Sequence, residues 1–246
     1  FIATASSIVM AGGIPKPVDI GDDNLICTEA ISDAINPRTV GIMPTQLNGR
    51  ICDMDQILKI SKKYNLFIVE DACHAIIAQD KRKRFAGNYG ITGCFSMHPL
   101  KNLNVWGDGG IITTNSKKIY ERLKLLRNHG LIDRDNVKIS GYNSRLDTIQ
   151  AVVGNWLIPN AKKIANQRIK NAKYFDKHFS KIKQIEIPPR LKNYKIVYHL
   201  YVIFAKNRDA LLKHCLKKGI EAKVHYPKPM YLQESLKNLK YKRGDF

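Results

Sequence analysis

The sequence has few acidic residues for its length and no signature of a membrane or disulfide-rich protein. Of its 246 residues, 21 are Asp or Glu and 41 are Lys or Arg, which gives a formal net charge of +20. Five cysteines are scattered without a CxxC pair or a Cys/His ligand spacing. This pattern argues against a disulfide scaffold or a metal site and favours a reducing, cytoplasmic location. No apolar run approaches the roughly 20 residues of a membrane-spanning helix.

The two ends of the chain predict an internal fragment. The sequence begins at Phe1 rather than at Met. Its first residues lack the pattern of a signal peptide, in which a charged segment is followed by an apolar one. It ends at Phe246, just after a helical pattern. We therefore expect a longer protein that continues at both ends.

The positive charge is concentrated in the second part of the chain. Residues 161–246 carry a net charge of +16, whereas residues 1–160 carry +4. Such asymmetry is typical of proteins that bind nucleic acid or another polyanion. The lysines between 162 and 177 nevertheless follow the solvent-side spacing of a helix, and they do not alternate with aromatic residues for base stacking, since Tyr174 and Phe175 are the only aromatic residues among them. We interpret the charge as a solvated surface without nucleic acid as a partner, and keep a nucleic-acid-binding or regulatory protein as an alternative.

Short apolar segments alternate with helical patterns in the first part of the sequence. Strands are predicted at residues 16–20, 40–44 and 66–69, with helices between them. This alternation predicts an α/β fold with a largely parallel sheet covered by helices. Ligands of such sheets bind beyond the carboxyl ends of the strands, where Asp71 follows the strand 66–69.

The rhythm changes in the second part of the chain. A long polar helix is followed by predicted strands at 197–204 and 220–224, on either side of a further helix. This order predicts a second, smaller α+β domain. We therefore divide the chain into a large domain, residues 1–157, and a small C-terminal domain, residues 158–246.

The stretch from Asp71 to Lys101 combines two residues with a shared chemistry. A carboxylate ends an apolar strand, and a lysine follows thirty residues later in a short loop. An enzyme built on pyridoxal 5′-phosphate (PLP) needs such a pair: the lysine forms a Schiff base with the cofactor, and the carboxylate keeps the pyridine nitrogen protonated. Asp71 is preferred over Glu70 because side chains alternate along a strand.

Two further side chains complete this candidate site. Ser96 is a candidate contact for the cofactor's phosphate, and His74 lies one turn beyond Asp71, close enough to reach the phenolate oxygen. The prediction depends on the ordered set, because a single Asp at a strand end is commonly a helix N-cap.

Several segments carry a resemblance to one known family. They are residues 1–5 (FIATA), 69–75 (VEDACHA), 95–103 (FSMHPLKNL) and 141–146 (GYNSRL), with a similar tail at 207–209, 218–220 and 224–227. In this order and at these spacings they closely resemble the DegT/DnrJ-type sugar aminotransferases. The Ser-x-His-x-x-Lys-Asn motif is specific, and the resemblance covers essentially the whole chain.

The resemblance implies the type I PLP-dependent, aspartate-aminotransferase-like fold. This fold has a mostly parallel central sheet with helices on both faces and a smaller C-terminal α+β domain. The resemblance also implies a homodimer whose active sites are shared at the subunit interface. The implied reaction transfers an amino group, usually from glutamate, to the keto group of a nucleotide-linked sugar, in amino-sugar and cell-surface polysaccharide biosynthesis.

The resemblance assigns roles residue by residue. Lys101 falls on the Schiff-base lysine and Asp71 on the partner of the pyridinium nitrogen. His74 falls where the family has Gln or His beside the cofactor's phenolate oxygen, and Ser96 falls on a phosphate ligand.

Two assignments lie outside that stretch. Phe1 falls on the aromatic residue that stacks against the cofactor ring, and Asn143 on the residue that reaches the phosphate of the neighbouring subunit's cofactor. Gln46 departs from the family, since many members have His there. The family's upstream phosphate-binding turn falls before Phe1.

Other functions are compatible with the same fold. Dehydratases that resemble this family use PLP or its amine form but carry His in place of the lysine, so Lys101 argues against them. A catalytically inactive protein of the same fold is a further alternative.

Overall fold

The computed structural model describes residues 1–246 and contains helices and strands in alternation. The α-helices are α1 (Ile2–Met10), α2 (Thr28–Ala34), α3 (Met54–Tyr64), α4 (Lys117–Arg127), α5 (Thr148–Leu157), α6 (Ala161–Phe179) and α7 (Arg208–Lys217). The strands are β1 (Gly41–Ile42), β2 (Phe67–Asp71), β3 (Thr92–Ser96), β4 (Gly110–Thr113), β5 (Ile185–Glu186) and β6 (Phe204–Ala205). Four short 3₁₀ helices complete the regular structure.

The contacts group the chain into two compact units. The first, called the sheet unit here, consists of Pro37–Ala172 and Leu191–Tyr201. The second, called the terminal unit, consists of Phe1–Asn36, Lys173–Arg190 and Val202–Phe246. The predicted domain boundary between residues 157 and 158 stays a prediction.

A four-stranded sheet forms the centre of the sheet unit. Its strand order is β1-β2-β3-β4, with parallel pairing from β1 to β3 and antiparallel pairing between β3 and β4. The predicted α/β class with a mostly parallel sheet is therefore confirmed. The two-stranded sheet β5-β6 lies in the terminal unit.

Local sequence explains where the helix before β2 begins and ends. The side chain of Asp53 caps α3 by accepting a hydrogen bond from the amide of Gln56 at 3.1 Å. Asn65 ends the helix in the left-handed region, with φ of 52°. Met54 and Ile57 are buried, so α3 turns an apolar face to the core.

The carboxylate of Glu70 holds the end of β2 against the following loop. The side chain is fully buried and accepts hydrogen bonds from the amides of Gly87 (2.8 Å), Tyr89 (2.6 Å) and Gly90 (3.0 Å). Gln46 Nε2 donates a fourth hydrogen bond at 2.9 Å, while Gln46 Oε1 accepts one from the amide of Cys52. A buried carboxylate is tolerated when donors surround it in this way.

Three predicted strands are wrong. Residues 16–20 make one isolated bridge, between Ile20 and Ile26, and residues 220–224 pair with no strand. In the segment 197–204 only the last residue belongs to a strand. Its apolar start reflects burial in the sheet unit, because Val197 has no exposed surface and its amide donates to the carbonyl of Gly49. Burial without a strand partner explains the misleading pattern.

None of the helices combines the length and the apolar character that crossing a membrane requires.

Replacing Glu70 with Gln should destabilise the sheet unit. The amide nitrogen cannot accept hydrogen bonds, so at least two buried N–H groups lose their acceptor, each at a cost of about 1–3 kcal/mol. We expect urea denaturation to show a free energy of unfolding lowered by about 2–5 kcal/mol. Glu121→Gln, at an exposed position on α4, is the control and should change the free energy by less than about 0.5 kcal/mol. Equal stability of the two variants would contradict this role of Glu70.

Candidate active site

Asp71 ends β2 at the carboxyl edge of the parallel strands. Its amide donates to the carbonyl of Pro44 at 3.0 Å, and the next amide, of Ala72, donates to the carbonyl of Cys94 at 2.9 Å. Asp71 Oδ1 accepts a hydrogen bond from the amide of Cys73 at 3.2 Å. Bonds to both neighbouring segments therefore fix the backbone of Asp71, and the bond from Cys73 orients its carboxylate.

Lys101 lies in a turn that is anchored at both ends. Met97 and Leu103 are buried in one apolar cluster on either side of it. The amide of Lys101 donates to the carbonyl of His98 at 2.8 Å, and the amide of His98 donates to Ser96 Oγ at 3.3 Å. The lysine is therefore presented on a short, supported loop after β3.

The electrostatics couple Lys101 to Asp71. Burial lowers the pKa of the Lys101 amine, whereas the charge of Asp71 acts in the opposite direction and raises it. The desolvated lysine thus has more of its neutral form at a given pH than an exposed lysine has. A neutral amine is the form that attacks a carbonyl and accepts a proton.

Cys73 is a member of this group that the sequence did not reveal. Burial raises the pKa of its thiol to about 12, and the charge and hydrogen bond of Asp71 act in the same direction. Lys101 lowers it in part. Nothing in the sequence pattern shows that a thiol two positions after Asp71 interacts with both charged groups.

His74 is buried and held by two parts of the sheet unit. Its Nδ1 accepts a hydrogen bond from the amide of Asn48 at 3.3 Å. Its ring lies 4.1 Å from the ring of His199, centroid to centroid, with an interplanar angle of 39°. Sequence reasoning missed both contacts. The Asn48-Gly49 dipeptide was the one available signal, since it favours a left-handed turn.

The remaining predicted residues lie in separate places. Ser96 ends β3, half-buried, two residues from the turn that carries Lys101. Asn143 is exposed and pairs with Asn128 at the end of α4. Phe1 precedes α1 in the terminal unit, with its ring centroid 6.1 Å from that of Tyr226. The roles of all three residues stay predictions.

The residues present fit a PLP site. The half-buried amine of Lys101 and the carboxylate of Asp71, which interact electrostatically, follow β3 and β2 at the edge of the sheet where ligands of α/β folds bind. The side-chain oxygens of Asn48 and Asn102 are buried without a hydrogen-bond partner, although Asn102 Nδ2 donates to the carbonyl of Val197 at 3.0 Å. Buried polar atoms without partners are rare and commonly mark a place where a ligand or water binds.

Comparison with known protein families decides the classification. The model of the DegT/DnrJ/EryC1/StrS aminotransferase family matches residues 1–246. The chain belongs to this family.

Named relatives of this DegT/DnrJ/EryC1/StrS chain include enzymes and a regulator. A UDP-N-acetyl-3-dehydro-α-D-glucosamine 3-aminotransferase of Acidithiobacillus ferrooxidans is 35% identical over 95% of this chain and 63% of its own length. A pleiotropic regulatory protein of Geobacillus stearothermophilus is 34% identical over 99% of this chain and 66% of its own length. The chain thus spans about two thirds of the length of the curated relatives it matches.

Solved structures of the family share the fold. DesV of S. venezuelae, crystallised with a ketimine intermediate, has a TM-score of 0.95 and 30% identity, and the match covers 100% of this chain and 66% of DesV. NtdA of Bacillus subtilis, with bound cofactor PMP, has a TM-score of 0.84 and 29% identity, covering 95% of this chain and 55% of NtdA. The predicted type I fold is therefore confirmed.

The thiol of Cys73 should resist alkylation in the folded protein. A pKa raised to about 12 keeps the thiol protonated at pH 8.5, whereas the same group in the unfolded chain is about half ionised. Because the thiolate is the reactive form, iodoacetamide should modify folded Cys73 at least about a hundredfold more slowly than unfolded Cys73. Peptide mass spectrometry of the cofactor-free protein measures both rates, and Cys73→Ala identifies the peptide. Equal rates would show that the thiol does not lie in this environment.

Proposed function

We propose that this chain forms the catalytic part of a PLP-dependent aminotransferase that acts on nucleotide-linked keto sugars. One observation carries the proposal: the Lys101 amine is half-buried in the loop after β3, and the charge of Asp71 at the carboxyl end of β2 acts on it. The named activity of the A. ferrooxidans relative supports the substrate class. Glutamate is the amino donor in this proposal, as the family resemblance implies.

The roles of the two central residues follow from their chemistry. When bound, PLP supplies an electron-withdrawing pyridinium that stabilises negative charge on the substrate carbon. Asp71 would hold a proton at the pyridine nitrogen. Lys101 would hold the cofactor through Nζ and, as a neutral amine, would carry a proton between the substrate carbon and a neighbouring atom.

The other assigned residues hold the cofactor. Ser96 would hold the phosphate, and His74 would hold the ring oxygen. The family resemblance assigns Phe1 to the face of the ring and Asn143 to the phosphate of the neighbouring subunit's cofactor. The exposure of Asn143 supports a role toward a second subunit.

The alternatives account less well for the site. A dehydratase related to this family has His at the position of Lys101. The regulatory name of the G. stearothermophilus relative favours a regulator. Partial burial of the Lys101 amine, however, costs free energy, and a regulator that binds no cofactor offers no functional reason for this cost. An inactive protein of this fold would leave the same cost unexplained.

We further propose a homodimer formed through α5. Three large apolar side chains spaced along one face of this helix are exposed to 74%, 62% and 68%: Ile149, Val152 and Trp156. Trp106, exposed to 77%, lies in a turn joined to α5 by the hydrogen bond from Gln150 Nε2 to the carbonyl of Asp108. Several large apolar side chains exposed along one helix face are typical of protein interfaces. A second copy would also bring Asn143, just before α5, to a neighbouring site.

The cytoplasm is the proposed location. All five cysteines are free thiols, which is typical of proteins in a reducing compartment.

Replacing Lys101 with Arg should abolish covalent cofactor binding. Arginine keeps the positive charge but has no amine that attacks an aldehyde, because its guanidinium stays protonated. We expect borohydride reduction after incubation with PLP to attach one cofactor to the wild-type full-length protein, at Lys101, and none to the variant. Peptide mass spectrometry locates the modification.

The control for this experiment is Lys117→Arg, an exposed position on α4, which should bind cofactor like the wild type. Amino transfer from glutamate to a panel of nucleotide-linked keto sugars should fall by several orders of magnitude in Lys101→Arg only. Cofactor trapped at another lysine, or equal transfer by both variants, would overturn the proposed function.

Replacing Val152 with Glu should disrupt the dimer. A carboxylate at the centre of the apolar stripe is buried without a partner when the interface forms, and this burial is strongly unfavourable. We expect sedimentation velocity to show the mass of a monomer for Val152→Glu and of a dimer for the wild type. Asn166→Glu adds the same charge at an exposed polar position of α6 and should remain dimeric. Dimeric Val152→Glu would exclude this face as the interface.

A further inference from the structure

His74 lies between two turns of the sheet unit whose backbones are left-handed. The first turn contains Asn48 and Gly49, with φ of 57° and 85°. The second contains Tyr198, with φ of 48°. Left-handed conformations are unfavourable for residues other than glycine, and a bulky residue such as tyrosine adopts them only where surrounding contacts compensate. The first turn contacts the imidazole of His74, and the second is followed by His199, whose ring packs against that imidazole.

The first turn determines which nitrogen of His74 carries the proton. The amide of Asn48 donates to Nδ1 at 3.3 Å, so Nδ1 must present its lone pair. A proton on Nδ1 would point at the amide proton of Asn48, and both donors would lose their acceptor in a buried site. In the neutral ring the proton is therefore on Nε2.

The second turn determines the plane of the ring. His199 follows Tyr198 and packs its imidazole 4.1 Å from that of His74. Arg168 Nη1 donates to the carbonyls of Tyr198 and His199 at 3.1 and 3.2 Å, which compensates the unfavourable backbone. A ring packed at this distance restricts the rotation of His74 about its χ2 angle.

The two turns also constrain each other. A Cβ atom at Gly49 would lie 2.6 Å from the nitrogen of Tyr198, so only glycine fits where the turns meet. The amide of Val197 donates to the carbonyl of Gly49 at 3.0 Å and holds them together. The turns next to Asn48 and His199, though far apart in sequence, are thus joined by direct backbone contacts.

We propose that Asn48 and His199 are positioning residues that make His74 a fixed hydrogen-bond donor. The amide of Asn48 selects the tautomer with the proton on Nε2, and the ring of His199 holds the plane in which Nε2–H points. This inference deepens the proposed function and rests on it for the acceptor, which is the ring oxygen of PLP.

The tautomer can be measured without the cofactor. Long-range ¹H–¹⁵N correlation spectra of the cofactor-free full-length protein, labelled with ¹⁵N-histidine, report which imidazole nitrogen is protonated. The signals lost in His74→Gln assign residue 74. We expect an unprotonated Nδ1 and a protonated Nε2 in the wild type. A proton on Nδ1, or both tautomers in exchange, would overturn the proposal.

Variants at residue 199 test the fixed plane. His199→Phe keeps a flat ring and should leave the spectrum of His74 and the PLP dissociation constant within twofold of the wild type. His199→Ala removes the ring, so we expect mixed or broadened His74 signals and a dissociation constant raised roughly two- to tenfold, the usual strength of a ring–ring contact. Unchanged signals and affinity in His199→Ala would refute the positioning role.

A second background separates positioning from general stability. In His74→Gln, whose side-chain amide still offers a donor, His199→Ala should have no further effect on PLP affinity if it acts through His74. The same loss in both backgrounds would show a merely structural role.

The Asn48→Gly variant tests the role of the backbone amide. It keeps both the amide and the left-handed backbone, so the wild-type tautomer of His74 should persist in it. A changed tautomer would contradict the role of that amide.

The outcomes distinguish this inference from the proposed function. If the wild type fails to bind PLP while the predicted tautomer is observed, the function is wrong and the support of His74 stands. If PLP is trapped on Lys101 but Nδ1 carries the proton, the function stands and the inference is wrong.

Discussion

The buried carboxylate of Glu70 is the constraint on which the site depends. Its four donors come from Gln46 and from the loop 87–90, so one side chain joins β2 to the segments before and after it. Because side chains alternate along the strand, fixing Glu70 on one face fixes Asp71 on the other. The position of the functional carboxylate is thus set by a residue that takes no part in the proposed chemistry.

The site concentrates unfavourable local features within a stable scaffold. Lys101 is desolvated, Cys73 is kept protonated next to a carboxylate, and Tyr198 adopts a left-handed backbone. The half-buried amine and the left-handed tyrosine cost free energy, and the charge of Asp71 and the two hydrogen bonds from Arg168 compensate part of this cost. Such a distribution is typical of a site that is organised before its ligand binds, because the cost of ordering has been met during folding.

The sequence predicted the parts of this site that depend on local pattern. An apolar strand that ends in Glu70-Asp71 and a specific motif around Lys101 were enough to identify the sheet edge and the candidate pair. The environment of Cys73 and the contact between His74 and His199 were not predictable, because they depend on backbone packing between distant segments. The same packing produced an apolar run at 197–204 that was wrongly predicted as a strand, since burial and strand pairing leave similar patterns. The departure at Gln46 also has a local explanation, as its amide joins Glu70 to Cys52.

The segment Leu191–Tyr201 belongs to the sheet unit although Lys173–Arg190 of the terminal unit separates it from the rest in sequence. Its backbone pairs with Gln79 through Lys195 and with Gly49 through Val197. During synthesis on the ribosome, the sheet unit therefore cannot complete its hydrogen bonding until residue 201 has left the exit tunnel. Contacts of such large sequence separation slow folding. Until residues 197 and 199 have been synthesised, Asn102 and His74 lack the carbonyl and the ring that contact them in the folded unit.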